Sequence, residues 1–477
     1  MNPPHLRSIC PGLSAPLPTG DGLLARLMPA APIRLDAMAG FCDAARQHGN
    51  GTIEISARGS LQVRGLTPRA APLFASAVAE LGIAVHEGVP VIAGFDLASR
   101  GSTADVAAEL RGAMAKVRLA LSPKISVVVD GSGELHLDAL TADIRLRAGA
   151  RAPALRFHLG LGGDGVSATW LGSVMQRDVA DVVLSILAII AACGPAARAA
   201  DVFRTRGAQA FGSILAVIAP TPAPPQRMPA EMIGVHSARD GTVAVGIGFA
   251  FGHTTADALA EIVRLATIHG AQAVRPAPDR ALLLMGVSPP DALALAAAAQ
   301  QLGFVVHPGD PRRRIAACPG APACGSGVIP ARALASTLVS LLESMSTGLR
   351  RDQAVAAPSA LVGEGWGGGS GSCGTALPPP PTPTPDPSPQ GGGEELAARL
   401  RRELAPAARG IAVHISGCPK GCAHPMPAAL TLVGTPQGCG IVHNGSARVA
   451  PDHYVDPANL GDEIWRIAAK CKEAAHG

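Results

Sequence analysis

Four cysteines fall into two pairs whose spacing suits a metal-sulfur centre. Cys318 and Cys324 lie in ACPGAPACGSG, and Cys418 and Cys422 lie in SGCPKGCAHP. The glycines and prolines of these segments exclude a regular helix, so backbone amides are free to point at sulfur. A [4Fe-4S] cluster needs four thiolates from different directions, and two short loops brought together by the fold can supply them. The two pairs therefore predict a [4Fe-4S] site.

The spacing leaves two other interpretations open. Zinc sites usually use two or four residues between paired cysteines, whereas here five and three residues intervene, which favours iron-sulfur chemistry over zinc without excluding it. The four cysteines could also be unrelated small buried residues. Only these four share the paired Gly and Pro context, and this favours the cluster.

The remaining six cysteines lack a paired motif, and packing or loop positions are the default interpretation for them. They are Cys10, Cys42, Cys193, Cys373, Cys439 and Cys471. Cys439, between two glycines, is the one to test as a substitute ligand. A disulfide framework is not expected in so long a chain without a secretory signal at its start, so we expect a reducing cytoplasm.

Composition bounds the possible functions. The 477 residues allow roughly three or four domain-sized units. A net charge of +4 and 3% aromatic residues do not describe a nucleic-acid-binding protein. The longest apolar run, Val182 to Cys193, is shorter than the roughly 20 residues that span a bilayer. We therefore expect neither a nucleic acid nor a membrane as partner.

Two segments of the chain repeat the order strand, helix, paired strands. Each opens with an Asp-Gly pair, at Asp21 and Asp240, and each has a helical apolar stripe, ending at Gly49 and Gly270. Thr254 is the predicted N-cap of the second helix. The copies are offset by 219 residues before the helix and 221 after it. This repeat predicts two similar half-domains.

A second pair of segments repeats at a larger offset. Residues 125–146 parallel residues 411–432 at an offset of 286. The first-half positions that correspond to the four cysteines hold Gly94, Arg100, Ser132 and His136. The first half should therefore lack the cluster. The larger offset requires an insertion in the second half, and the Pro- and Gly-rich stretch at about 355–395 predicts a disordered excursion, either a neutral linker or a polyproline ligand for a partner domain.

Polar residues that differ between the two half-domain copies indicate a ligand site. Arg58, Gln62 and Arg64 of copy one correspond in copy two to Asp279, Leu283 and Met285. The fold therefore does not require the polar set. Gln62 and Arg64 should project to one face of a strand, where guanidinium groups suit carboxylates, and Lys124 could add another cation. The alternative is a solvated strand face.

These features together resemble the sirohaem-type nitrite and sulfite reductase superfamily. The resemblance rests on the repeat plan, the cysteine pairs and SARGSLQVRG, and it covers nearly the whole chain apart from the insertion. It implies an α+β fold with a pseudo-twofold repeat of ferredoxin-like half-domains and 4Fe-4S-type α/β domains. The implied domains are a first half-domain at 1–85, a cluster-free α/β domain at 86–225, a second half-domain at 226–306 and a [4Fe-4S]-binding domain at 307–477.

Within the superfamily, the opening CPGLSAPLPTGDGLLARL and the modest length most resemble the precorrin-3B synthase family. That resemblance implies an oxygen-dependent hydroxylation of precorrin-3A at C20 with γ-lactone formation, in aerobic cobalamin biosynthesis. It implies Cys318, Cys324, Cys418 and Cys422 as [4Fe-4S] ligands, with Arg58, Gln62, Arg64 and Lys124 lining the tetrapyrrole side. NADH-derived reducing equivalents from an electron donor, dioxygen and a mononuclear non-haem iron are also implied.

Two rival functions stay open. A sirohaem-dependent sulfite or nitrite reductase would carry a second Lys two residues after Lys124, where this chain has Ser126. An uncharged residue there weakens an anion-reducing site. A non-catalytic iron-sulfur electron carrier would bind no tetrapyrrole. For the implied iron, the histidines nearest the motifs are His136, His414 and His424, although each alone is more often a structural residue.

Overall fold

The computed structural model of the chain describes residues 11–95, 97, 102–131, 133–149, 154–340 and 411–456. Internal contacts divide the chain into two compact units. The first unit comprises Met1–Arg313 and Pro322–Gly325, and the second comprises Arg314–Ala321 and Ser326–Gly477. The insertion predicted at about 355–395 lies outside the described residues, as do Cys10, Cys373 and Cys471.

The first unit opens with a half-domain of strands and two helices. Its elements are β1 (Leu17–Thr19), β2 (Gly22–Leu27), β3 (Ile33–Arg34), α1 (Leu35–His48), β4 (Thr52–Ile55), β5 (Leu61–Leu66) and α2 (Ala70–Glu80). The stripe predicted on the first helix is buried in α1, where Phe41 packs edge-to-face on Phe74 of α2 with ring centroids 5.8 Å apart. Burying one such ring contributes about 1.5–3 kcal/mol.

An α/β sheet follows in the same unit. Its elements are β6 (Val91–Ala93), α3 (Ser102–Ala115), β7 (Val127–Asp130), β8 (Ile144–Ala148), β9 (Arg156–Leu161), β10 (Thr169–Met175), α4 (Val179–Ala192), α5 (Ala199–Arg206) and α6 (Gly212–Leu215). The strand order is β10-β9-β8-β7-β6, with β6, β7 and β8 parallel and the others antiparallel. The apolar run that begins at Val182 is buried in α4, as its length predicts.

The second half-domain closes the first unit. Its elements are β11 (Gly234–Ser237), β12 (Val243–Gly248), β13 (His253–Thr255), α7 (Ala256–Ile268), β14 (Ala273–Ala277), β15 (Ala281–Val287) and α8 (Ala292–Gln301). The N-cap of α7 is Thr255, whose hydroxyl accepts from Ala258 N at 3.1 Å. The prediction of Thr254 was wrong by one residue, because Thr254 belongs to β13 and pairs with Ile53.

Each half-domain contributes one strand to the sheet of the other half-domain. The two sheets run β1-β2-β5-β4-β13 and β11-β12-β15-β14-β3. Ile33 of β3 pairs with Val274, while Thr254 of β13 pairs with Ile53, so both contacts obey the same offset of 221 residues. Helices α1 and α7 share one apolar core with both sheets. The predicted pseudo-twofold repeat of half-domains is confirmed.

The second unit contains the counterpart of the α/β sheet. Its strands are β16 (Ile315–Ala317), β17 (Val413–Ser416), β18 (Ala428–Thr435), β19 (Gly438–Gly445) and β20 (His453–Val455), and a helix, α9, covers residues 331–340. Strands β16, β17 and β18 are parallel, as β6, β7 and β8 are. Val127 pairs with Ile144 and Val413 pairs with Leu430, which reproduces the predicted offset of 286 in the register. The mixed α+β fold class is thereby confirmed.

Among the helices in the described part of the chain, none is both long enough and apolar enough to cross a membrane.

Candidate functional site

Arg58 lies at the turn between β4 and β5, and its side chain reaches the α/β sheet of the first unit. Its Nη2 donates to Ser126 Oγ at 2.9 Å and to Thr141 O at 2.8 Å. Gly59 follows it with φ +82°, and a Cβ there would lie 2.8 Å from the carbonyl carbon of Ala277. The turn therefore needs glycine, and this fixes where Arg58 projects.

Further cations gather beside Arg58. Arg111 and Arg275 line the same small cavity, whose volume is about 40 Å³. The guanidinium of Arg275 lies 4.3 Å from the centre of the Phe95 ring, a cation-π contact. Burial lowers the pKa of Arg111. Sequence reasoning missed both arginines, because neither belongs to the strand motif and only tertiary packing brings them to Arg58.

Ser126 is held by a buried carboxylate. Asp143, which is 2% exposed, accepts from Ser126 N at 3.1 Å and from Ala199 N at 3.1 Å. It also accepts from Arg198 Nε and Nη2 at 2.8 and 2.9 Å. Lys124, two residues before Ser126, is exposed. Arg58, Ser126 and Lys124 therefore share one corner of the first unit, while Gln62 and Arg64 lie further along β5.

A polar row crosses the first half-domain sheet on the face opposite its helices. Arg26, Gln62, Glu54 and His253 are successive cross-strand partners on β2, β5, β4 and β13. With its amide oriented to satisfy both neighbours, Gln62 donates to Glu54 Oε2 at 2.8 Å and accepts from Arg26 Nε and Nη2 at 2.7 Å. Hydrogen bonds to side chains on the two neighbouring strands therefore hold Gln62 on this face of the sheet.

Arg64 is buried and ion-paired on that same face. Its Nε and Nη2 donate to the two carboxylate oxygens of Asp21 at 2.9 and 2.8 Å, and its Nη1 lies 3.6 Å from Glu54 Oε1. Nη2 also donates to Ala323 O at 2.6 Å. Burial alone would lower the pKa of Arg64, but the hydrogen bond to Asp21 and the charges of Glu54, Asp21 and Cys324 raise it.

Asp21 and Glu54 are partners that sequence reasoning did not assign to the site. Burial works to raise the pKa of Asp21, but hydrogen bonds from Arg64 and Thr19 outweigh it and hold that pKa below its usual value. Glu54 lies between Ile53 and Ile55, and both isoleucines belong to the apolar core. A carboxylate alternating with core residues was the signal available in the sequence for Glu54.

In the second unit, Cys318 and the segment around Cys418 form a close backbone cradle. Cys318 follows β16, is buried, and its Sγ accepts from Gly417 N at 3.0 Å. A Cβ on Gly417 would lie 2.9 Å from the Cα of Gly320 and 3.4 Å from the Cys318 sulfur. Such amide-to-sulfur contacts and bare backbone suit a thiolate that ligates a metal cluster.

None of the four motif cysteines is in a disulfide bond with another cysteine of the described residues. Cys418 is half-buried and Cys422 is exposed, both in the second unit, and Lys420 between them donates from Nζ to Ser326 Oγ at 2.6 Å. Cys324 is half-buried and belongs to the first unit with Pro322–Gly325. The assignment of the four as cluster ligands stays a prediction.

Cysteines outside the two motifs behave as packing residues where they are described. Burial raises the pKa of Cys42 to about 12 and that of Cys439 to about 11. Cys439 is fully buried in β19. A thiol held in its neutral form is a poor metal ligand, and this disfavours Cys439 as a substitute ligand.

The three candidate histidines divide into two places. In the second unit, His414 is buried on β17 and its ring centroid lies 5.8 Å from that of His424. In the first unit, His136 groups with Asp130 and Asp138. Within the described ranges, that is the one set of three potential ligands whose atoms all lie within 4.8 Å of one another.

The group around His136 does not fit an iron ion. Arg227 pairs with both Asp130 and Asp138, and Arg145 and Arg147 each lie 3.8 Å from an Asp138 oxygen, so arginines already occupy the positive side of this group. His136 Nε2 lies 2.7 Å from Met228 O and therefore carries the proton, while Nδ1 accepts from Asp138 N at 3.3 Å. The set is an ionic network that fastens the segment around Met228 to the α/β sheet.

Comparisons with known proteins agree with this architecture. Residues 18–81 match the family described as the nitrite/sulfite reductase ferredoxin-like half domain. The solved structure of the NirA protein of Mycobacterium tuberculosis superposes with a TM-score of 0.63 at 18% identity, covering 92% of this chain and 79% of that one. At that identity the likeness shows the fold.

A curated relative extends the match to nearly the whole chain. The precorrin-3B synthase of a Sinorhizobium species is 31% identical over 468 residues, which cover 97% of this chain and 88% of the relative. The half-domain match, the shared fold and the identity over the whole chain all agree with the resemblance that the motifs indicated. The chain belongs to the precorrin-3B synthase family, and its residues 18–81 match the nitrite/sulfite reductase ferredoxin-like half domain.

Proposed function

We propose that this protein is an oxidoreductase, a monooxygenase that hydroxylates precorrin-3A at C20 and forms the γ-lactone in aerobic cobalamin biosynthesis. The observation that carries the proposal is the 31% identity over 97% of the chain to a precorrin-3B synthase. One atom of dioxygen enters the substrate and the other leaves as water. An electron donor supplies the two electrons, ultimately from NADH.

Cations of the first unit suit the carboxylate groups of a precorrin. Precorrins carry several acetate and propionate groups on an apolar ring, so a binding site should combine fixed cations with hydrophobic walls. We propose that Arg58 and Lys124 contact substrate carboxylates while Gln62 and Arg64 form the hydrogen-bonded floor. Each hydrogen bond to a charged group contributes about 1.5–3 kcal/mol, so a few such contacts fix the orientation of the ring.

We propose that Cys318, Cys324, Cys418 and Cys422 hold a [4Fe-4S] cluster, which supplies one-electron transfer when it is bound. The amide donated by Gly417 to the Cys318 sulfur and the glycine cradle around it support the assignment. In the second unit, Lys420 and Ser326 tie the two cysteine segments together. Thiolates that ligate iron persist in a reducing compartment, so we place the protein in the cytoplasm.

The residues near His136 do not fit the mononuclear iron that the family resemblance implies, because the guanidinium groups of Arg227, Arg145 and Arg147 already lie against the carboxylates. His414 and His424 stay the candidates in the described part of the chain. A two-His-one-carboxylate iron site would still need a carboxylate beside them.

The alternative is a sirohaem-dependent sulfite or nitrite reductase, which the fold shared with NirA makes worth testing. Ser126 disfavours it, because this hydroxyl accepts a hydrogen bond from Arg58 where a reductase would carry a second lysine. Protein produced with sirohaem available should then lack its visible absorption and should not reduce sulfite or nitrite.

The test of the main proposal combines composition with turnover. Anaerobically purified protein should contain at least as much iron as sulfide, with any excess iron reporting a mononuclear site, and should give the paramagnetic resonance signal of a reduced cluster. With precorrin-3A, a reductant and ¹⁸O₂, the product should gain one labelled oxygen atom by mass spectrometry. Stoichiometric sirohaem with sulfite reduction, or a cluster without any spectral response to precorrin-3A, would refute the proposal.

A further inference from the structure

The turn between β1 and β2 lies against the segment that carries Cys324. A Cβ on Gly20 would lie 2.3 Å from Gly325 N and 2.6 Å from the carbonyl carbon of Cys324. Real Cβ atoms do not approach backbone so closely. The two backbones therefore touch because position 20 is glycine.

Arg64 joins the same turn to the same segment. Asp21 in the turn accepts two hydrogen bonds from Arg64, and Thr19 Oγ1 donates to Asp21 Oδ1 at 2.8 Å. The same Nη2 that donates to Asp21 Oδ1 also donates to Ala323 O at 2.6 Å. Arg64 is 3% exposed, so these bonds are made away from water, where hydrogen bonds are stronger.

Fixing the carbonyl of Ala323 also orients Cys324. The peptide between the two residues is planar, so its N–H points opposite to the carbonyl that Arg64 holds. The position of the Cys324 Cα is set on one side by this hydrogen bond and on the other by contact with Gly20. These hydrogen bonds also hold the positive charge of Arg64 beside the Cys324 segment.

We infer that Arg64 is a positioning residue for the iron-sulfur cluster, holding the Cys324 segment through the chain Asp21–Arg64–Ala323 O, with Gly20 allowing the close approach. This rests on the proposed ligand role of Cys324. It gives Arg64 a role beyond the floor of the substrate site. Loss of groups that orient metal ligands typically lowers metal affinity about 10- to 100-fold.

The test uses three variants of the full chain, Arg64→Met, Arg64→Lys and Gly20→Ala, purified anaerobically beside the wild type. Iron and sulfide content, the cluster resonance spectrum, its midpoint potential and the rate of iron loss to a chelator are measured. Arg64→Met should lose iron about 10- to 100-fold faster and shift the potential negative, because a cation near the cluster is removed. Arg64→Lys should keep the potential nearer to wild type but still lose iron faster.

Gly20→Ala separates positioning from charge, since it should accelerate iron loss without the shift in potential. Gly112→Ala is its matched control, because a Cβ at Gly112 meets nothing within 4 Å and that variant should match wild type. Circular dichroism checks that each variant folds. Folded Arg64→Met and Gly20→Ala with wild-type iron content, potential and chelator rate would overturn the inference. A wild type without any cluster would instead overturn the cofactor assignment, and the inference with it.

Discussion

Arg58 Nη2 donates to Ser126 Oγ at 2.9 Å, which joins the turn of the first half-domain to the start of β7. The backbone amide of Ser126 in turn donates a hydrogen bond to the carboxylate of Asp143. A residue that departs from the reductase pattern is therefore a hydrogen-bond partner of the arginine proposed to bind substrate. Where a second lysine would repel Arg58, a serine can hold it.

Arg58→Met should weaken precorrin binding while the cluster spectrum stays intact. Losing one hydrogen-bonded charge contact of about 1.5–3 kcal/mol corresponds to a loss of affinity of roughly 10- to 150-fold. An anaerobic titration with precorrin-3A, monitored by visible absorption, measures this affinity. Arg177→Met, which removes an exposed arginine paired with Asp178, is the control and should bind normally. If Arg58→Met lost the cluster as well, Arg58 would be structural.

Asp143→Asn should destabilise the first unit. The carboxylate accepts bonds from Ser126, Ala199 and Arg198, and the amide leaves the Arg198 charge without its partner. Because Arg198 is partly exposed, the loss should stay below that of a fully buried ion pair, at about 1.5–3 kcal/mol. Denaturant unfolding measures this change in the free energy of unfolding. Asp201 pairs with Arg204 in an exposed i,i+3 contact, so the control Asp201→Asn should have a free energy of unfolding close to that of wild type. Equal stability of the two variants would show that the contacts of Asp143 do not stabilise the first unit.

The Asp21–Arg64 pair should add an acid-sensitive contribution to stability. The pKa of Asp21 is held below its ordinary 3.8, so folding favours the carboxylate form. That stabilisation is fully present above pH 3.8 and is lost as pH falls through the lower folded-state pKa. Unfolding measured from neutral pH down to about pH 2 should therefore show a shallower acid dependence for Asp21→Asn than for wild type. Parallel curves would show that Asp21 gains nothing from its partners.

Replacing single cysteines should separate ligands from packing residues. Cys418→Ser should abolish the cluster signal and lower bound iron, whereas Cys439→Ala should keep both. Cys439 lies fully buried in β19 with its pKa raised to about 11, so its loss should cost packing, on the order of 1 kcal/mol. Iron and sulfide analysis with thermal unfolding distinguishes the two effects. Loss of iron from a folded Cys439→Ala would make Cys439 a ligand after all.

The sequence by itself determined the repeat, and through it the fold class. Helical and strand periodicity are local, so the stripes of α1 and α7 and the strands β5 and β15 could be located from spacing alone. The offsets of 221 and 286 reappear in the strand register, since segments with the same pattern of apolar residues form the same strand pairs. The cysteine motifs could be recognised in the same way, because glycine and proline constrain their own backbone.

Only the tertiary structure decided which partners meet. The exchange of β3 and β13 between the half-domains moved the N-cap from Thr254 to Thr255, because Thr254 was taken up by pairing with Ile53. The contacts of Arg58 with Ser126, and of Arg64 with Asp21 and Ala323, join residues 43 to 259 positions apart. No local pattern encodes such contacts, since they depend on how separate elements pack, and packing is what turned a strand of polar residues into a hydrogen-bonded site.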